Sequence, residues 1–283
     1  MKRQHQVLVA VVIAVVAIAV IVWFGWLRHH EEGESAAVAP VETPAASAPI
    51  ETPAPPEPAS APASAVIQHP IGAVDSEEAT PDAATMLADV FGKRVAESLF
   101  VPDDFAHRLA ATVDGLGRVT ASSRLWPAQP TPGHFSVAET NDGATVVAAD
   151  NAERYAAFIG IFERVDPIRV AQAYKRFYPQ LQKAYQDLGY PDGYFNDRLV
   201  DVIDSMLAAP EPVGPVEVRL PNVEGASAPA RPWLVYEFAD PALASLPAGQ
   251  KLLVRMGVAN ERRVKALLLI FRGLVAPGPA AAR

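Results

Sequence analysis

The segment Tyr174–Asp204, YKRFYPQLQKAYQDLGYPDGYFNDRLVDVID, carries the strongest structural pattern in the chain. Apolar residues recur at helical spacing from Val170 to Leu188, and the following Gly189 is typical of a helix C-terminus. A second periodic run begins after a short turn that is rich in Gly, Pro and Tyr. The pattern therefore predicts two helices joined by a tight turn, with Pro179 kinking or splitting the first.

Amphipathic patterns on both sides of this pair extend the predicted folded part to residues 81–275. About seven helices are expected, the first with apolar residues from Met86 to Val95. Two small β-hairpins are expected as well: one turns at Asp142-Gly143, and the other pairs residues 216–220 with residues 233–238. The predicted fold class is therefore α+β and mainly helical, in a single globular domain followed by a frayed tail at 276–283.

The N-terminal region has the composition of a membrane anchor. Val7 to Leu27 is a run of 21 residues built only from Val, Ala, Ile, Leu, Trp, Phe and Gly. About 20 apolar residues match the hydrocarbon core of a bilayer, so the run predicts a transmembrane helix in contact with lipid. Lys2 and Arg3 precede it and acidic residues follow, which predicts a cytoplasmic segment 1–6. The expected location is the bacterial inner membrane, with the C-terminal domain in the periplasm.

A linker is predicted between the anchor and the domain, at residues 28–80. Eight prolines fall between Pro40 and Pro62, and Ala, Ser and Glu make up most of the remainder. Such a segment has too little apolar surface to form a core, and each proline removes a backbone donor. We therefore expect a disordered, Pro/Ala/Glu-rich tether.

The net charge of -8 comes from this linker. Residues 31–89 carry 11 acidic and no basic side chains, whereas residues 90–283 carry 21 of each, so the predicted domain is neutral. A neutral domain argues against a nucleic-acid partner. The chain has no Cys, which excludes disulfides and thiolate metal sites, and it has no phosphate-binding loop or hydrolase signature. No cofactor, metal site or catalytic residue is predicted.

Three aspartates, Asp197, Asp201 and Asp204, share one face of the second helix of the 174–204 segment, at positions i, i+4 and i+7. Neighbouring carboxylates can raise each other's pKa and so act as a general acid and base. However, the opposite face of this helix is apolar. The pattern therefore favours a solvated acidic face over a catalytic pair.

The turn region presents the densest group of polar and aromatic side chains: Tyr190, Tyr194, Asn196, Asp197 and Arg198. Tyr and Arg are enriched at binding surfaces, so these five residues are the candidate binding site for a peptide or glycan. The alternative is a plain helical hairpin, in which the rings pack and Asn196 or Asp197 caps the second helix. The tyrosines of the first helix are expected in the core: Tyr174, Tyr178 and Tyr185.

The 174–204 segment also resembles a known family, together with the runs NAERYAAF (151–158), YEFADPAL (236–243) and AGQKLLVRMG (248–257). They are similar to a bacterial family catalogued as domain of unknown function 3014, over roughly residues 85–272. The resemblance implies the plan of one N-terminal span, a Pro-rich linker and this domain. The family has no assigned activity, so the resemblance implies no catalytic residue.

Three functions are compatible with these features. The leading hypothesis is a tethered periplasmic binding or scaffold domain in cell-envelope organisation, with an envelope protein or a glycan as partner. A second is an envelope hydrolase or glycan-processing enzyme that uses Asp197 or Asp201. A third is a TonB-like coupling or transport accessory, against which the wholly apolar span counts. The lack of a catalytic motif favours a non-enzymatic role and leaves catalysis open.

Overall fold

A computed structural model describes residues 66–71, 81–221 and 232–277 of the chain. The predicted cytoplasmic segment and the anchor Val7 to Leu27 lie outside these residues, as does most of the predicted linker. No helix within the three described ranges is long and apolar enough to cross a membrane.

Nine α-helices make up most of the described residues, which confirms a mainly helical fold. They are α1 (Ala83–Phe91), α2 (Lys93–Leu99), α3 (Phe105–Leu116), α4 (Glu153–Phe162), α5 (Pro167–Asp187), α6 (Phe195–Leu207), α7 (Pro241–Ala244), α8 (Ala248–Met256) and α9 (Val258–Val275). The expected number of about seven was too low, partly because Gly92 divides the predicted first helix. Gly92 has φ +81°, a left-handed conformation that ends α1 and lets α2 start in a new direction.

Four short strands form two antiparallel pairs, as predicted: β1 (Val137–Glu139) with β2 (Thr145–Val147), and β3 (Val218–Arg219) with β4 (Glu237–Phe238). In the first pair Val137 lies opposite Val147, and Gly143 in the turn has φ +83°. The second pair is shorter than predicted, since residues 232–234 form a 3₁₀ turn instead. A single bridge between Val146 and Glu217 joins the two pairs.

The main core lies between α5, α6 and the helices packed around them. Helix α5 buries one face, including Tyr174, Tyr178 and Tyr185, which confirms that these tyrosines belong to the core. Helix α5 also runs unbroken through Pro179, so the predicted split is wrong. Pro179 lies on the exposed face of α5, so its ring does not disturb the buried face of the helix.

Candidate functional site

The turn between α5 and α6 is held tightly by its aromatic rings. Gly189 has φ +106°, which only glycine adopts readily, and it reverses the chain after α5. The rings of Tyr185 and Tyr190 stack with their centroids 4.6 Å apart and their planes at 16°. A Cβ atom at Gly193 would lie 2.8 Å from the Tyr185 ring, so the close approach requires glycine. The turn therefore fixes where α6 begins.

Two of the five predicted site residues, Tyr190 and Arg198, face α3. Arg198 donates from Nε to Asp114 Oδ1 at 3.1 Å and from Nη2 to the Asp114 carbonyl at 2.8 Å. The Tyr190 hydroxyl donates to Asp114 Oδ2 at 3.2 Å, and the same oxygen accepts from Arg118 at 2.5 Å. Asp114 raises the pKa of the Arg118 guanidinium, which keeps this cation charged. These contacts join α3, the turn and α6, so this half of the predicted site has a structural role.

The other half of the site, formed by Tyr194, Asn196 and Asp197, faces a segment from the predicted linker. We call this segment, Val66–Ile71, the strap. The carboxylate of Asp197 accepts two successive backbone N–H bonds from it, from Gln68 at 3.0 Å and from His69 at 2.7 Å. Successive N–H groups point to opposite sides of an extended strand. The strap therefore has to bend at these two residues, as it does.

Two further hydrogen bonds hold the C-terminal half of the strap. Asn196 donates from Nδ2 to the His69 carbonyl at 2.7 Å, and the Tyr194 hydroxyl accepts the Ile71 N–H at 2.8 Å. Between them lies Pro70, which has no N–H to satisfy. The Ile71 side chain packs against the edge of the main core. All four bonds thus go to the main chain of the strap, and only Ile71 adds an apolar contact to that core.

Asn196 is held in place by the core of the domain. It is fully buried, and its Oδ1 accepts from the Tyr174 hydroxyl at 2.8 Å. Its backbone N–H donates to the Tyr178 hydroxyl at 3.3 Å, and its Nδ2 also donates to the Val275 carbonyl at 3.1 Å. Burial raises the pKa of the Tyr174 hydroxyl well above its usual value, so that hydroxyl remains a donor. The amide is therefore already oriented toward the strap.

The alternative prediction of a plain helical hairpin is correct in its packed tyrosine rings and wrong in its cap, since neither Asn196 nor Asp197 caps α6. The N-cap residue of α6 is Tyr194, whose own side chain does not cap the helix; Gln182 Oε1 and the Tyr178 hydroxyl, both from α5, accept the first two N–H groups of α6. Asn196 and Asp197, which sequence reasoning assigned to the helix terminus, instead form hydrogen bonds with the strap. The first turn of α6 thus contributes Asn196 and Asp197 to the strap contact while its own start is held by the aromatic turn.

The strap contact is close to energetic balance. Two bonds to a carboxylate and two neutral bonds are together worth about 4–9 kcal/mol. The partly buried Ile71 adds about 1 kcal/mol, whereas ordering six residues costs about 6–12 kcal/mol. The favourable and unfavourable contributions nearly cancel.

The three aspartates of α6 do not form one site. Asp201 is exposed, as expected for a solvated face, and Asp197 bonds the strap. Asp204 is buried and forms a bidentate pair with Arg272 of α9, with Nε–Oδ1 at 2.5 Å and Nη2–Oδ2 at 2.9 Å. The predicted solvated position of Asp204 is therefore wrong, because α9 covers that part of the helix. Among the described residues there is no group of three or more side chains that could hold a metal ion.

Sequence reasoning missed the strap because it treated residues 28–80 as one segment of uniform composition. One signal was available. Val66, Ile67 and Ile71 are three β-branched apolar residues within six positions, in a linker dominated by Ala and Pro. Of these three residues only Ile71 packs against the main core, so the signal marks the stretch and not its individual contacts.

Comparison with known proteins connects this fold to one family. A family model described as "Protein of unknown function (DUF3014)" matches residues 105–272, more than half of the chain. Comparisons with curated proteins and with solved structures each gave no match. The matched residues include Tyr194, Asn196 and Asp197 and exclude the strap. The chain therefore belongs to the DUF3014 family, as the resemblance of its 174–204 segment indicates.

Proposed function

We propose that this protein is a single-pass inner-membrane protein whose periplasmic domain is a binding or scaffold module in cell-envelope organisation. The apolar run Val7 to Leu27, its flanking charges and the Pro-rich linker support the anchor, the orientation and the tether. The domain would search the space near the membrane for its partner, within the reach that the linker allows.

One observation carries the binding role: the domain uses buried and half-buried polar side chains to hold a polypeptide main chain. With the strap in place Asn196 is fully buried, and its Nδ2 group donates to the carbonyl of His69 in the strap as well as to the carbonyl of Val275 in the domain. Burying an amide is unfavourable unless its hydrogen bonds are made, so a residue in this position favours a ligand that offers a carbonyl. The contact supports a polypeptide ligand over a glycan.

The two alternative functions have no comparable support among the described contacts. Both carboxylate oxygens of Asp197 accept N–H bonds from the strap, so this residue is not available as a general base while the strap is bound. Coupling to a transport complex would depend on the predicted span, which lies outside the described residues.

The binding role can be tested by crosslinking in intact cells. A photoreactive amino acid is placed at Tyr194 in the full-length protein, and a control is placed at Asp201, which is exposed seven residues further along α6. We expect the Tyr194 position to capture the strap and at least one defined envelope protein that the control position does not capture. If the strap product alone forms at Tyr194, or if both positions capture the same proteins, the proposed role is wrong.

The membrane orientation has its own test, which the absence of Cys makes simple. A single Cys replaces Glu97, whose side chain is 66% exposed, and a second variant carries a single Cys at Gln4. A membrane-impermeant maleimide should label the first variant once the outer membrane is opened, and the second only after the inner membrane is disrupted. The reverse order of labelling would contradict the proposed orientation.

A further inference from the structure

We infer that Tyr194, Asn196 and Asp197 form a receptor for a bent peptide segment with a Pro-apolar end, and that the strap occupies this receptor as an intramolecular competitor. The inference rests on the proposed binding function and names its ligand class and its regulation. The ligand that this receptor binds in trans is an unstructured segment of another protein. The strap is an intramolecular ligand of the same kind.

The geometry of the strap defines the ligand. Two successive N–H groups must reach one carboxylate, which requires a local bend and resembles the way backbone nests bind anions. The next carbonyl must accept from Asn196. The position of Pro70 favours proline, because proline has no N–H group and so needs no acceptor there. The position of Ile71 needs an N–H for Tyr194 and an apolar side chain.

The strap is poorly secured at its other end, which makes exchange feasible. Val66 is 84% exposed and Ile67 is 49% exposed, so neither contributes much to docking. The strap belongs to the same chain as the site, so it competes as an intramolecular ligand. A ligand in trans therefore has to bind better than the strap, or be present locally at a higher concentration.

A second copy of this chain is a poor candidate for that ligand. Exchange of straps between two copies would replace each hydrogen bond with an identical one. Association of the two molecules would in addition lose translational and rotational entropy. A different protein can gain affinity by presenting a larger apolar side chain at the Ile71 position or a segment that is already bent. The receptor thus favours a heterologous partner.

The test measures the release of the strap in the full-length protein. Ile67→Cys introduces the only thiol of the chain at a half-exposed position next to Gln68, whose N–H bonds Asp197, so a spin label there reports the mobility of the docked part of the strap. The probe is a ten-residue peptide with the sequence of residues 64–73, SAVIQHPIGA. We expect a saturable increase in label mobility at millimolar peptide. A matched peptide with Asp at the Ile71 position should have no effect. An immobile label at saturating peptide would overturn the inference and make the strap a permanent part of the domain.

A second measurement uses the same peptide with a fluorophore. Binding to a chain with Ile71→Asp, in which the internal competitor is weakened, should be at least about twofold tighter than binding to the wild-type chain, because a strap whose docking free energy is near zero covers the site about half of the time. Adding Asp197→Asn to that variant should reverse the gain, whereas adding Asp201→Asn should not. Equal affinities in all four chains would refute the competition. A molecular mass in solution that rises to that of a dimer with protein concentration, and that Ile71→Asp abolishes, would instead indicate strap exchange between copies and would overturn the heterologous partner.

These outcomes separate the inference from the proposed function. If the peptide releases the strap but position 194 captures no envelope protein in cells, the receptor exists and the proposed role is wrong. If the peptide fails to release the strap but an envelope protein is captured, the role stands and the ligand class is wrong.

Discussion

Removing one member of the buried pair Asp204–Arg272 should destabilise the domain more than any exposed ion pair can. Both side chains are only 4% exposed, and the carboxylate accepts two bonds from the guanidinium across the α6–α9 interface. Asp204→Ala leaves a buried guanidinium without its counter-charge. Breaking a pair of this kind costs about 3–5 kcal/mol, which agrees with two charge-assisted bonds at about 1.5–3 kcal/mol each.

That loss is large enough to measure by urea unfolding of the purified protein, followed by circular dichroism. With an m-value of about 2 kcal/mol per M, a loss of 3–5 kcal/mol lowers the midpoint by about 1.5–2.5 M. The control is Glu97→Ala, which removes an exposed pair with Lys93 at 3.9 Å and should change the unfolding free energy by less than about 0.5 kcal/mol.

A double variant separates the pair from the simple loss of a side chain. Replacing Asp204 with Leu and Arg272 with Met together leaves no unpaired charge, so most of the stability should return. The reasoning is refuted if Asp204→Ala costs no more than Glu97→Ala, or if the double variant is as unstable as the sum of its two single variants.

Three further predictions concern other parts of the fold, each read from unfolding free energies. Gly193→Ala should lower the free energy of unfolding by about 1–3 kcal/mol, because the new Cβ would lie 2.8 Å from the Tyr185 ring. Gly273→Ala lies inside α9 with open space around it and should raise the free energy of unfolding by up to about 1 kcal/mol. Equal effects of the two substitutions would contradict this role of Gly193. Burial raises the pKa of Glu261 above its usual 4.5, so its protonated form is favoured in the native state and stability should fall as the pH rises above 4.5. Glu261→Gln should reduce this loss of stability with rising pH. An unchanged dependence of stability on pH would contradict the raised pKa of Glu261. Pro179→Ala should raise the free energy of unfolding by about 1 kcal/mol or more, because alanine restores a helical hydrogen bond in α5. A lower free energy of unfolding would show that the proline is required at this position.

The sequence predicted the helices best where local signals mark their ends. Asp166 and Asp240 precede proline, and in the structure each accepts a backbone N–H from the first turn of its helix, at 3.0 and 2.8 Å. These signals are local, since an N-cap residue and its target lie two or three positions apart. Before α1 the same pattern occurs in Thr80-Pro81, which predicts Thr80 as the N-cap, whereas the N-cap in the structure is Asp82, two residues later. Helix existence was therefore predictable, while the exact ends were less so.

The fate of the three aspartates on α6 was not predictable, and the reason is geometric. Residues i and i+7 lie on nearly the same side of a helix, so the pattern assigns Asp197 and Asp204 to one face. However, seven residues at 1.5 Å each separate them by about 10 Å along the axis. At one height the strap meets Asp197, and at the other α9 covers Asp204. Periodicity gives the angle of a residue around a helix, but burial also depends on what packs at its height.

The sequence did not predict the strap, and the reason is a different one. The same reason determines how competing peptide segments can be identified. Tyr194, Asn196 and Asp197 were identifiable because polar side chains next to a Gly-rich turn stand out in a sequence. Their ligand does not stand out, because all four hydrogen bonds go to main-chain groups that every residue except proline carries. Only the Pro-apolar end of the strap leaves a side-chain pattern, and two residues are too few to search a proteome. A competing segment therefore has to be identified by capture at the receptor, with position 194 as the point of attachment.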